Sequence, residues 1–157
     1  MAIDTKSFSL QIKTGLVEIK EQAQEVLVET ALELVRNAVI ATPVDDGALR
    51  SNWRMAADST DTGYDESHVK GEGLSAATTL AAELKEDGKE FEYITISNNL
   101  PYAKTVEYGL YPDPPKVDTG KTVGGYSKQA PKGMFRTSLL KYHSIARKHA
   151  KAKMGKK

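Results

Sequence analysis

An α+β fold is the reading that this 157-residue chain supports, and three observations carry it. Leu16 to Ala41 has one apolar stripe, which predicts a long helix. Phe91 to Ser97 is aromatic and β-branched, which predicts a strand. Pro131 opens a last segment that is apolar first and basic afterwards, which predicts a closing helix. The expected architecture is one domain over 1–157, with the N-terminal and C-terminal helices packed on a small, mostly antiparallel sheet. Two long loops, 58–73 and 110–128, complete it.

The first helix is the clearest element. Leu16, Ile19, Ala23, Val26, Leu27, Leu34, Val35 and Ala38 recur at spacings of three, four and seven, and so share one side. Glu21, Glu25, Glu29 and Glu33 form a row on the other side, each four residues from the next. Like charges at that spacing repel by a few tenths of a kcal/mol per pair. The row therefore reads as a solvated face or as a surface for a basic partner. Pro43 disfavours helical geometry in Thr42 and ends the helix there.

Asp45-Asp46-Gly47 reads as a turn that caps a short helical piece through Ala48, Leu49 and Arg50. Trp53 to Ala57 is a candidate strand, and Leu74 to Asp87 suits either a helix or a strand. The strand 91–97 puts Phe91, Tyr93, Thr95 and Ser97 on one face. Pro101 opens and Gly109 closes a short helix behind Asn98-Asn99. Leu110 to Ser127 is rich in proline and glycine and reads as extended loop. In the last helix Met134, Phe135, Leu139, Tyr142 and Ile145 supply the apolar side.

Composition narrows the function classes. The absence of cysteine removes disulfides, thiol chemistry and cysteine-based metal sites. Residues 1–10 lack the layout of a signal peptide and no apolar run approaches about 18 residues, so a cytoplasm-like compartment is expected. The net charge of +1 hides an asymmetry. Residues 141–157 hold seven Lys/Arg and no acid, so the chain is an acidic body with a basic, flexible tail over 147–157. Such a tail binds a polyanion or an acidic protein surface, or suits the negative end of its own helix.

Catalytic constellations fail one by one. Gly120-Lys121-Thr122 resembles the end of a phosphate-binding loop, but Pro115 stands where that loop needs glycine. Asp61-Thr62-Gly63 and Asp118-Thr119-Gly120 spell the aspartic-protease triplet without its hydrophobic strand context. His143 and His149 are six apart and do not share a helix face, and His68 lies in a loop. Asp45 and Asp46 are explained by the turn. No enzyme, cofactor or metal is expected.

Three dense clusters remain: Thr42-Pro43-Val44-Asp45-Asp46-Gly47-Ala48-Leu49-Arg50-Ser51-Asn52-Trp53; Asn98-Asn99-Leu100-Pro101-Tyr102-Ala103 with Glu107-Tyr108-Gly109; and Gln129-Ala130-Pro131-Lys132-Gly133-Met134-Phe135-Arg136. In this order, between two terminal helices, they resemble the neck or tail-completion proteins of long-tailed bacteriophages. The resemblance covers most of residues 10–150. Asp46 stands where that family's pattern has Thr, and the segment from Gly109 to Gln129 is longer than its short loop.

The resemblance implies a structural virion protein of the head–tail junction. It implies a ring, expected to have six copies, around the DNA channel, assembled in the host cytoplasm. The implied partners are further copies of the chain, the head connector, the tail-terminator and tail-tube proteins, and the viral DNA in the lumen; no membrane is expected. Candidate contact residues are the row Glu21, Glu25, Glu29 and Glu33, with Arg147, Lys148 and Lys151 of a neighbour's tail opposite it. Arg50, Trp53, Tyr102, Glu107, Tyr108 and Arg136 are further candidates, because aromatic and arginine side chains dominate interfaces. Core packing is the competing reading of Trp53, Tyr102 and Tyr108, and Arg50 and Glu107 are a candidate ion pair. The alternative function is a small DNA-binding protein acting through its basic C-terminal helix.

Overall fold

A computed structural model describes residues 5–65, 74–86 and 90–155. Expectations for His68, for residues 66–73, for Asp87 and for the last two lysines lie outside the described residues. Helix α1 runs from Thr5 to Ala41, eleven residues earlier than the apolar stripe predicts. A short α2 (Ala48–Ser51) leads into strand β1 (Trp53–Ala57). Helix α3 (Ser75–Glu86) precedes β2 (Ile94–Asn98), and α4 (Ala103–Tyr108) follows it. A small hairpin of β3 (Thr122–Val123) and β4 (Tyr126–Ser127) leads to α5 (Arg136–Leu139) and α6 (Tyr142–Met154). The fold is α+β, as expected.

β1 and β2 pair antiparallel, with Trp53 opposite Asn98 and Ala57 opposite Ile94. Alternation along β1 buries Trp53 and Met55 against α1 and α3. The core joins Val28, Leu32, Val35 and Ala38 of α1 to Leu49, Trp53, Met55, Phe91, Leu100, Val106 and Met134. Ala77 and Ala81, four apart, seat α3 in the same cluster, which resolves that segment as helix. Small side chains on that stripe allow close approach to α1.

Four expectations need correction. The strand begins at Ile94 rather than Phe91, because Asp58 Oδ1 accepts the backbone N–H groups of Glu92 (2.7 Å) and Tyr93 (3.2 Å) and holds them out of the ladder. Phe91 is therefore buried while Tyr93 is half exposed, and the two do not share a face. The stripe of α1 enters the core only from its middle onward: Leu16 and Ile19 are 61% and 65% exposed. The 110–128 segment is not all loop, since Gly124 and Gly125, both at positive φ, turn the β3–β4 hairpin. The last helix is broken into α5 and α6, leaving Leu139 and Tyr142 exposed, and Pro131 precedes it in an isolated bridge.

The first part of the 58–73 loop is laid along β2 by side chains. Thr95 Oγ1 donates to Ser59 O (2.6 Å) and Ser97 Oγ to Asp61 O (2.8 Å). Asn99 Nδ2 donates to the Asp61 and Gly63 carbonyls. Buried Asn52 donates to Asp65 O and accepts from Asp65 N, holding the last described residue of this stretch.

Candidate functional site

The three clusters singled out in the sequence meet in space, and backbone groups are the currency of most of their contacts. The first cluster is built around Thr42, whose hydroxyl donates to Ala38 O (2.6 Å) and accepts from Trp53 Nε1 (2.7 Å). Arg50 Nη2 donates to Thr42 O (2.8 Å), so the end of α1 is capped by a later turn of the same cluster. Asp46 Oδ1 accepts from Ala48 N (2.9 Å) and so closes the turn, while the N-cap position of α2 is Gly47, at φ 102°.

The second and third clusters are joined by one carboxylate. Glu107 is 9% exposed, and its Oε2 accepts from Met134 N (2.7 Å) and Phe135 N (2.9 Å). Its Oε1 accepts from Arg136 N (3.0 Å) and Arg136 Nε (3.2 Å). A helix start presents unpaired N–H groups, and here a side chain from α4 satisfies them at the start of α5. Gly133 makes room for it: at φ 83°, a Cβ there would lie 2.5 Å from Glu107 O and 3.0 Å from Glu107 Oε1. Arg136 also lies over the Tyr108 ring at 4.8 Å and donates to Tyr126 Oη, which raises its pKa further.

Three further contacts close the circuit. Gln129 clamps Val44 through its side-chain amide, accepting from Val44 N (2.9 Å) and donating to Val44 O (3.1 Å). Asn98 Nδ2 donates to Leu49 O (2.7 Å), and Phe135 stacks obliquely on Trp53 at 5.7 Å. Arg50 and Glu107, a candidate pair in the sequence, bond elsewhere: Arg50 to a carbonyl, Glu107 to α5. Trp53 is core, at 5% exposure. Tyr102 and Tyr108 are 41% and 49% exposed. The Gln129 clamp and the role of Glu107 as a cap are missed by sequence reasoning, because neither partner is near in the chain. Gly133 beside an apolar run was the one available signal.

The family model described as "Bacteriophage HK97-gp10, putative tail-component" matches residues 7–109. The chain belongs to this family. No curated protein and no solved structure matches the chain. The match to the tail-component family ends at Gly109, so it contains the first two clusters, while the third is the part that locks onto them. A cavity of 720 Å³ lies between the first cluster and the 110–128 segment, lined by Pro43, Leu49, Tyr102, Tyr111, Lys121 and Gln129 among others. Burial there, with the Asp45 charge nearby, raises the Tyr111 hydroxyl above its ordinary pKa. The aspartates of both Asp-Thr-Gly triplets close turns on their own glycines, Asp61 on Gly63 N and Asp118 on Gly120 N, each at 2.8 Å. Among the described residues no group of acids and histidines is placed to hold a metal ion, and no helix is long and apolar enough to cross a membrane.

The acidic row and the basic tail do come together, but within one subunit. Residues of the tail up to Met154 are helical in α6, which lies along α1. Glu33 pairs with Lys148 and with His149 Nε2 (2.8 Å), Glu25 with Lys153, and Glu29 with Lys85 of α3. Glu21, Arg147 and Lys151 are exposed. The repulsion along the row is thus offset by cations from two other helices.

Hydrogen bonding from Lys148, helped by His149 and opposed by burial, holds the Glu33 carboxyl below its usual pKa. A lowered carboxylate pKa stabilises the fold fully above the unfolded value near 4.5, and the contribution is lost as pH falls through the folded value. Glu33→Gln is therefore expected to lower the melting temperature at pH 7 and to converge with the parent chain toward pH 3. Melting curves across that range check it; a gap that stays constant down to pH 3 would show that the contact does not act through charge.

Proposed function

We propose that this chain is a structural subunit of the phage head–tail junction, where copies of it form a ring that joins the tail to the head connector around the DNA channel. Membership of the tail-component family supports the coarse role. The observation that carries the finer one is the start of α1, where Leu10, Ile12, Leu16, Val17 and Ile19 are each 48–66% exposed on one continuous helix. A helix that is apolar on several sides is completed by neighbours. The interlocked motifs form the body from which that helix extends.

The geometry also bears on the DNA-binding alternative. Lys148, His149 and Lys153 face carboxylates of α1, so the positive potential of α6 is partly cancelled by its own subunit. Passage of DNA through a conduit is served by weak contacts of this kind. Gold-labelled antibody against the chain should mark the neck of intact virions in negative-stain images. Label confined to the capsid or to the tail tip, or none on the particle, would overturn the reading.

A further inference from the structure

The chain from Arg136 to Met154 contains neither proline nor glycine, and yet it forms two helices rather than one. The break is slight. Leu140 is already helical at φ −60°, ψ −23°, and its N–H donates to Arg136 O (3.1 Å), as in a continuous helix. Lys141, at φ −94°, ψ 1°, is the residue that departs, and its N–H turns to Ser138 O (2.9 Å), three residues back. Residue type does not demand a bend here, since the breakers that kink helices are missing. The bend matches instead the seat of α6 along α1.

That seat is held largely by charge. Ile145 is the one side chain of α6 that is fully buried, and it lies, like Leu34 of α1, outside the core cluster around Trp53. Ala146 and Ala150 are half-buried beside it. The polar contacts are ion pairs, Lys148 and His149 with Glu33 and Lys153 with Glu25. Partly exposed pairs of this kind contribute little each and weaken with salt. Helix α6 is thus an arm of 13 residues, about 20 Å long at about 1.5 Å per residue, set on a hinge of one residue.

We propose that α6 is an exchangeable arm, which swings at Lys141 to continue α5 as one helix and docks on the Glu25–Glu33 face of α1 in the next copy of this chain. The occupant is a second copy's α6 because a helix of that same sequence already fills this seat within the subunit, three cations against two carboxylates. Exchange keeps every contact of the clasp and brings the one bent residue into line. In an isolated chain the hinge holds the arm over its own seat at an effective concentration on the order of millimolar, so the closed form prevails. In a ring the neighbour's seat is equally near. Each copy gives one arm and accepts one, which is a heterologous contact, and repetition closes a ring when the rotation permits. The exchange rests on the ring reading above and adds the element that links neighbours.

Complementary charge reversals separate exchange from a fixed arm. Glu25→Lys with Glu33→Lys makes a cationic seat that rejects its own α6. Lys148→Glu with Lys153→Glu makes an acidic arm that rejects its own α1. Each full-length chain alone is expected to sediment as a monomer, with circular dichroism checking the fold, and an equimolar mixture to form complexes containing both, because each arm fits the other chain's seat. A mixture that stays monomeric overturns the exchange, as does either chain associating alone to the same extent. The parent arrangement is read with a short bis-maleimide on Glu21→Cys with Met154→Cys. Both positions are exposed, they flank the Glu25–Lys153 pair, and the chain has no native cysteine. Dilute protein should cross-link within one chain, and virions should give a ladder of chains. Cross-links confined to single chains at the neck would sink the exchange and leave the ring reading standing. Complexes from the mixed reversals, with the chain missing from the neck, would do the reverse.

Discussion

Glu107→Ala is expected to destabilise the chain by about 3 to 5 kcal/mol, because it strands the N–H groups of Met134, Phe135 and Arg136 at roughly 1–3 kcal/mol for each buried donor left unsatisfied. The carboxylate stands almost fully inside and holds the start of α5 to the end of α4. Water can reach Arg136, which is partly exposed, and this keeps the estimate below the sum of three full penalties. Glu107→Gln retains one acceptor oxygen and the shape, so a smaller loss of about 1 to 2 kcal/mol is expected. Urea unfolding followed by circular dichroism measures both. A loss under 1 kcal/mol for the alanine variant would mean that the third cluster is held by something other than this cap.

Trp53→Ala carries the other large effect, about 3 to 5 kcal/mol for an aromatic removed from a core that cannot collapse around the void. Trp53 touches both sides of the problem at once: its ring packs on Phe135 of the third cluster, and its Nε1–H bonds the hydroxyl that ends α1. For a chain of this length the midpoint of thermal unfolding should fall by roughly 10 °C or more. Trp53→Phe keeps an aromatic ring but drops the hydrogen bond and part of the buried indole, so it should recover about half of the loss. Thr42→Val removes that bond and also the one to Ala38 O, so it should cost more than the lost Trp53 bond alone, and combined with Trp53→Phe the effects should fall short of their sum because the Trp53–Thr42 bond is counted in both. Additive effects in that cycle would show that Trp53 and Thr42 do not communicate through the 2.7 Å contact. Trp53 is the one tryptophan of the chain, so its emission in the parent reports the same unfolding.

Much of the scaffold is legible from local signals. The end of α1 at Pro43, β1 from Trp53 to Ala57, and the Gly109 stop of α4 at φ 65° all follow from propensity and turn chemistry, which act over a few residues. The three clusters are recognisable as units for the same reason. Their purpose is less so. Trp53, Arg50 and Glu107 have the composition of an interface and serve the interior, because aromatic and charged side chains that bond backbone groups look alike in sequence whichever side of the surface they face. The start of the 91–97 strand fails through Asp58, thirty-four residues away from Glu92 along the chain.

By itself the sequence determined the α+β class, the long first helix, the strand at Trp53 to Ala57, the family, and the presence of an acidic row and a basic C-terminal segment. Those properties rest on periodicity, capping and residue type, which are local and additive. Only the tertiary structure decided that Glu25 and Glu33 meet Lys153, Lys148 and His149 of their own subunit, that Glu107 caps α5, and that Leu10 and Val17 stand outside the core. The reason is loop closure: each outcome depends on which distant segments the chain brings together, and one apolar stripe along α1 is longer than the body available to cover it.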